Sequence, residues 1–255
     1  MSFNNPKDRI VALEQCYRDG GGDYLGQSTS PGKGWEEKFE DFLIPESVSR
    51  KDLFEQFKKA NDSNGNSHYW EKVFVWTMAW GYGPGYGAHR TNKIRNYENN
   101  KQGKFEVAKW MKELSEIVNE KSETSVKNAY KWLKADWSKA RKGLGPAFAT
   151  KLLYVLSPES NRAPIIDAVA SRWLEGYQIK ATSKYFDIDS YLHYVNFAEE
   201  CLQKINGHLP AGTASYEDRG LIEYLIFQDE LFLRGSIKRV AEWRLKCQNA
   251  LLKTR

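Results

Sequence analysis

Apolar side chains return every three or four positions along most of this chain, the spacing that gives a helix one buried face. Ile10, Leu13 and Tyr17 mark a first helix, and Ser49 with Asp52 forms a capping-box pattern that opens another through Leu53, Phe54 and Phe57. Further helices are predicted over 68–80, 105–118, 125–137, 146–156, 165–173 and 188–205. The 188–205 segment lines up Tyr191, Val195, Ala198 and Leu202 on one stripe. Ser215 with Asp218 is expected to cap a helix through Leu221, Tyr224, Leu225 and Phe232, and 237–252 to close the chain as one helix. Pro146 suits a first helical turn, where its missing N–H needs no partner. Strict alternation never lasts more than a few residues, so any sheet is small and falls near 20–44. The class is mainly α.

Three polar or glycine-rich stretches interrupt the pattern: 20–34, 61–67 and 81–89. The last, GYGPGYGAH, sets two tyrosines and a histidine among glycines directly after an apolar helix. At 255 residues the chain can bury a large core. A net charge of +5 favours polyanions only mildly. No apolar run reaches the roughly 18 residues of a membrane span, and the first residues lack a signal-peptide core, so a soluble, cytoplasmic protein is expected. Cys16, Cys201 and Cys247 fit no zinc or iron–sulfur spacing and are expected as reduced core thiols. His68, His89, His193 and His208 show no paired spacing, so neither a metal nor another cofactor is expected.

The stretch richest in chemistry is RKGLGPAFATKLLYVLSPESNRAPIIDAVASRWL, from Arg141 to Leu174. A basic pair leads into Gly143-Leu144-Gly145, a turn that presents backbone N–H groups at a helix N-terminus, where a phosphate can be held. Lys151 follows on that helix, and Asp167 stands near the start of the next one. Helix, GLG hairpin, helix and a following Asp resemble the helix-hairpin-helix superfamily of DNA glycosylases, closest to bacterial proteins of the 8-oxoguanine-glycosylase fold, including antiphage glycosylases. The resemblance is strong over 139–174 and weaker over 76–94 and 220–232. It implies a two-lobed helical architecture. Residues 49–160 would form one lobe with the wedge loop and hairpin, and 1–48 with 161–255 the other, with the active site in the cleft between them.

The resemblance also implies roles. Asp167 would activate the nucleophile and stabilise positive charge developing on the deoxyribose, although a carboxylate in a first helical turn is also favoured by the dipole alone. The nucleophilic lysine of bifunctional family members falls here on Ala147. Lys151 lies one turn further on the same face, where burial would lower its pKa, and lyase activity is left open. Arg141, Lys142, Gly143 and Gly145 would grip DNA phosphates, with Arg90 on a neighbouring one. Tyr82, Tyr86 and His89 are the candidates to fill the gap left by a flipped base. Gly220, Glu223 and Phe227 match the spacing of the family's base-pocket helix, with Glu223 in place of a glutamine. A carboxylate accepts hydrogen bonds only, so it favours bases presenting donors, such as the exocyclic amine of cytosine or the N1–H and amine of guanine.

The expected activity is therefore a DNA glycosylase that flips a modified base out of double-stranded DNA and hydrolyses its N-glycosidic bond, acting as a monomer. A phage hypermodified cytosine, such as glucosylated 5-hydroxymethylcytosine removed in antiviral defence, is the leading substrate. Excision repair of 8-oxoguanine is the alternative, and a catalytically silent helical DNA-binding protein is the alternative of another class.

Overall fold

The computed structural model describes residues 5–84, 87–96, 98–99, 103–104, 106–120, 122, 124–140 and 144–247. Its elements in chain order are α1 (Pro6–Asp19), β1 (Ser28–Thr29), α2 (Lys33–Lys38), β2 (Val48–Ser49), α3 (Arg50–Asp62), α4 (Ser67–Tyr82), α5 (Gly87–Arg95), β3 (Glu98–Asn99), β4 (Gly103–Lys104), α6 (Val107–Val118), α7 (Ser125–Ala140), α8 (Pro146–Leu156), α9 (Ala168–Gly176), α10 (Ile188–Asn206), α11 (Gly220–Leu233) and α12 (Glu242–Lys246). The fold is mainly helical. Two short antiparallel pairs, β1 with β2 and β3 with β4, are the strands among the described residues. No helix there is long and apolar enough to cross a membrane.

The chain forms two compact units, one of residues 25–158 and one joining 1–24 to 159–255. The sequence reading grouped 25–48 with the discontinuous lobe, whereas these residues belong to the continuous unit. Two indoles explain the difference. Trp35 is fully buried and its Nε1 donates to the Gly83 carbonyl at 3.1 Å, while Trp76 Nε1 donates to the Phe42 carbonyl at 2.9 Å. Pairing of Ser28 with Ser49 and Thr29 with Val48 ties the segment further to the start of α3. Ser49 caps that helix as expected: its hydroxyl accepts from the Asp52 amide, and the Asp52 carboxylate accepts from the Ser49 amide at 2.7 Å.

The discontinuous unit is organised by a buried ionic knot. Asp229, on α11 and fully buried, accepts from Arg9 Nε at 2.6 Å and Nη2 at 2.8 Å, from Arg244 Nη2 at 2.9 Å and from Trp173 Nε1 at 2.9 Å. One carboxylate thereby locks α1, α9, α11 and α12 in register. Burial alone would push the Asp229 carboxyl up. The hydrogen bonds and charge of Arg9, joined by Arg244 and Trp173, outweigh that and hold it below its ordinary value.

Several sequence expectations are corrected. Helix α9 begins at Ala168 rather than Ile165, because Asp167 has extended backbone and stands outside as the N-cap. Ser215 lies exposed in a loop and caps nothing. The carboxylate that secures α11 is Asp218, which accepts from the Gly220 amide at 2.6 Å, from Tyr24 Oη at 2.8 Å and pairs with Arg162 at 3.4 Å. The expected closing helix breaks at Val240, whose extended backbone separates a 3₁₀ turn (Ile237–Arg239) from α12. Cys16 and Cys247 are not free thiols but form a disulfide, because α1 and α12 pack together and bring their Cα atoms to 5.9 Å. Cys201 alone is a free thiol among the described cysteines, and burial pushes it up to about 12.

Candidate active site

Within the discontinuous unit, three helices bring Asp167, Tyr194 and Glu223 into one electrostatic neighbourhood. Residues 162–167 belong to no helix or strand, and Tyr191 Oη, from α10, donates to the Pro164 carbonyl at 3.0 Å and pins that run. Asp167, half-buried, ends it and caps α9, its Oδ1 accepting from the Val169 and Ala170 amides at 2.9 Å each. The positive end of α9 therefore faces the carboxylate.

Glu223 sits one turn into α11 and is 97% removed from solvent (3% relative exposure). Phe227, one turn on, is half-buried, and the Arg239 guanidinium lies 5.9 Å from its ring centre. Tyr194 was not singled out in the sequence. It is fully buried on α10, and its hydroxyl has no hydrogen-bond partner among the described residues. Burial first, then the negative charge of Glu223 and, more weakly, Tyr191 and Asp167, pushes its phenol well above the ordinary value. Two carboxylates crowd a neutral phenol. The unmet Tyr194 hydroxyl among them is a buried polar group that a substrate can satisfy.

The continuous unit assembles a second group. Tyr82 ends α4, and its ring stacks on Phe148 of α8 with centroids 3.8 Å apart. Lys151, buried, holds its ammonium 5.2 Å from the Phe148 ring centre. A side chain at Gly81 would collide with Lys151 Cδ at 2.7 Å, so the missing Cβ there admits the lysine stem. Burial pushes the Tyr82 phenol up, opposed by the charge and hydrogen bond of Arg90. Tyr82, Arg90 and Lys151 are thus brought together around Phe148, which the sequence reading missed, although Phe148 and Lys151 share a face at i,i+3. His89 and Arg90 lie on α5 rather than in a loop, both exposed. Gly145 caps α8 with its carbonyl accepting from the Phe148 and Ala149 amides, and a side chain on it would meet nothing within 4 Å. Its bareness is not required by packing and keeps the helix N-terminus open. Tyr86, Arg141, Lys142 and Gly143 lie outside the described residues. Asp167 and Lys151, paired by the resemblance, sit on different units. Among the described residues no cluster of three or more histidine, cysteine or carboxylate side chains is placed to hold a metal ion.

A mainly helical chain with a glycine-capped, proline-led helix ahead of a helix capped by Asp has the architecture of the helical DNA glycosylases. The family model described as "Putative 8-oxoguanine DNA glycosylase OGG-like protein" matches residues 27–227, and the chain belongs to that family. No curated protein and no solved structure matches the chain.

Proposed function

We propose that this glycosylase flips a modified cytosine out of duplex DNA and hydrolyses its N-glycosidic bond, with sugar-bearing 5-hydroxymethylcytosine of phage DNA as the substrate and antiviral defence as the role. The observation that carries the reading is the buried Glu223 carboxylate beside the Tyr194 phenol, in the same neighbourhood as Asp167. Glu223 offers acceptors only, matching the exocyclic amine of cytosine. Asp167 stabilises the oxocarbenium-like deoxyribose and takes a proton from the attacking water. The water oxygen bonds to C1′ as the C1′–N bond breaks and its electrons leave with the base. Its two amide hydrogen bonds keep that carboxylate oriented, one water is the co-reactant, and the proton Asp167 takes from it passes to the departing base. Lys151 contacts the substrate strand in this reading, and attack by water rather than by its amine is the favoured route.

The family description supports a second substrate, 8-oxoguanine, since Glu223 can equally accept from guanine N1–H and its amine. Mass spectrometry of bases released from duplexes carrying either lesion decides between them. Release of the glucosylated base supports the defence role, and release of 8-oxoguanine transfers the protein to repair. Binding of both duplexes with release of neither would leave a silent binder and overturn the proposal. A borohydride-trapped adduct lost in Lys151→Ala would replace water by the lysine as nucleophile.

A further inference from the structure

Two adjacent residues ahead of α11 reach every element that carries Asp167, Tyr194 or Glu223. Asp218 and Arg219 are both buried, and so is Arg162, five positions before Asp167. Asp218 divides its carboxylate between two tasks. Its Oδ1 accepts from the Gly220 amide at 2.6 Å, which fixes the first turn of the helix that bears Glu223. Its Oδ2 accepts from Tyr24 Oη at 2.8 Å and lies 3.4 Å from Arg162 Nε. Arg219 adds two contacts: its Nη2 donates to Asn161 Oδ1, and its Nε pairs with Glu199 of α10 at 3.8 Å. Tyr194 stands five positions before Glu199 on that helix.

The run that delivers Asp167 is therefore held at its start by Arg162 and in its middle by Tyr191, whose hydroxyl bonds the Pro164 carbonyl. Tyr191 is also a neighbour of Arg219. Burial pulls the Arg219 guanidinium down, and the charges of Glu199, Tyr191 and Asp218, in that order, oppose the fall. The chain leaves this unit after residue 24 and returns at 159, so Tyr24 and Asn161 stand beside the two crossings, and the same pair of residues fastens both. A buried ion pair gains little net stability over a well-packed apolar substitute, because desolvation offsets its attraction. What it imposes is one arrangement of its partners. Chemistry is sensitive to such placement: a shift of about 1 Å in a reacting group can cost about 10²-fold in rate.

We infer that Asp218 and Arg219 are positioning residues for base release, which together set where Asp167 stands relative to Glu223 and Tyr194. Asp218 acts through Arg162 on the run that ends at Asp167, and through Gly220 on α11. Arg219 ties the same point to α10. The inference rests on the roles proposed for Asp167 and Glu223, and adds residues that touch neither base nor sugar.

Asp218→Asn separates the two tasks. Its amide oxygen keeps the Gly220 contact, since asparagine caps about as well as aspartate, but its NH₂ would face two donors where Oδ2 stood. Release is followed in single turnovers of the full chain on a duplex carrying glucosylated 5-hydroxymethylcytosine or 8-oxoguanine, whichever base the wild type releases. The rate at saturating protein should fall about 10–100-fold, while the dissociation constant for the duplex changes by less than about twofold. Arg162→Met should act alike, and the double variant should lose no more than the worse single one, because both cut one link. Tyr24→Phe removes one hydrogen bond and leaves the ion pair, and should stay within about threefold of wild type. Reducing the Cys16–Cys247 disulfide destabilises the same unit without touching these residues, so release measured below the melting transition should be unchanged. An undiminished rate in Asp218→Asn would overturn the inference. So would a rate loss matched by weaker DNA binding, or one reproduced by reducing the disulfide. Absence of release by the wild type would instead remove the roles of Asp167 and Glu223, and the inference with them.

Discussion

Two of the carboxylates that helix α11 buries, Glu223 and Asp229, stand six positions apart in different company. Asp229 is gripped by two arginines and an indole, and its charge is what those donors require. Glu223 acts on a phenol that Asp167 also crowds. Removing one partner from a knot such as that of Asp229 strands the others, so it fixes the packing of four helices. The lesson is that burial of a charged residue does not itself distinguish scaffold from site. The groups beside it do: Asp229 is held by donors from three other helices, whereas Glu223 lies near a phenol whose hydroxyl has no hydrogen-bond partner among the described residues.

The comparison is broken most sharply at Asp167. Asparagine caps a helix about as well as aspartate, so Asp167→Asn should keep both amide contacts, with stability and DNA affinity nearly intact. Base release should fall by about 10²–10⁴-fold, as measured in single-turnover assays. Undiminished release would remove Asp167 from the chemistry.

At the scaffold end, Asp229→Asn leaves Arg9 and Arg244 buried with less than their countercharge, and should lower unfolding free energy by about 3–5 kcal/mol in denaturant titration. The same substitution tests the pH dependence. Asp229 titrates lower in the folded chain than its unfolded value of about 3.9, so its stabilisation is complete above that pH. It is lost as pH falls through the lower folded value, and the gap between wild type and Asp229→Asn should close in acid. Reduction of the Cys16–Cys247 disulfide should cost about 2–4 kcal/mol, read from unfolding curves with and without dithiothreitol. The smallest effect belongs to Tyr194→Phe. It deletes a hydroxyl without a hydrogen-bond partner among the described residues, so stability should move by no more than about 1 kcal/mol while the preference among released bases shifts.

Much of the scaffold was legible because its signals are local. The Ser49–Asp52 box, Pro146 at a first turn and the stripe of Tyr191, Val195, Ala198 and Leu202 each act within one or two helical turns. Failures came where distance or ambiguity intervened. Gly87 reads as loop, yet α5 starts there because Tyr82 and Trp35 fill the space a side chain would need. Asp218 outcompetes Ser215 as the anchor of α11 because Tyr24, nearly 200 positions earlier, steadies it. The Asp229 knot joins positions 9, 173, 229 and 244, and no periodicity links them. Its trace in the sequence is only that Gln228, Asp229 and Glu230 interrupt an apolar run. Asp167 was legible as a helix-start acid, whereas the Tyr194 neighbourhood needed the packing of α9, α10 and α11.

The pairing of Arg9 with Asp229 also sets an order of events during synthesis. The first helix leaves the ribosome early, but its countercharge is 220 residues behind it, roughly ten to forty seconds at ordinary elongation rates. Meanwhile 25–158, continuous in sequence, can condense on its own contacts. The nascent chain therefore carries an amphipathic helix whose Arg9 waits for its partner while the following unit folds, and the clasp of the discontinuous unit can form only after 25–158 has been made.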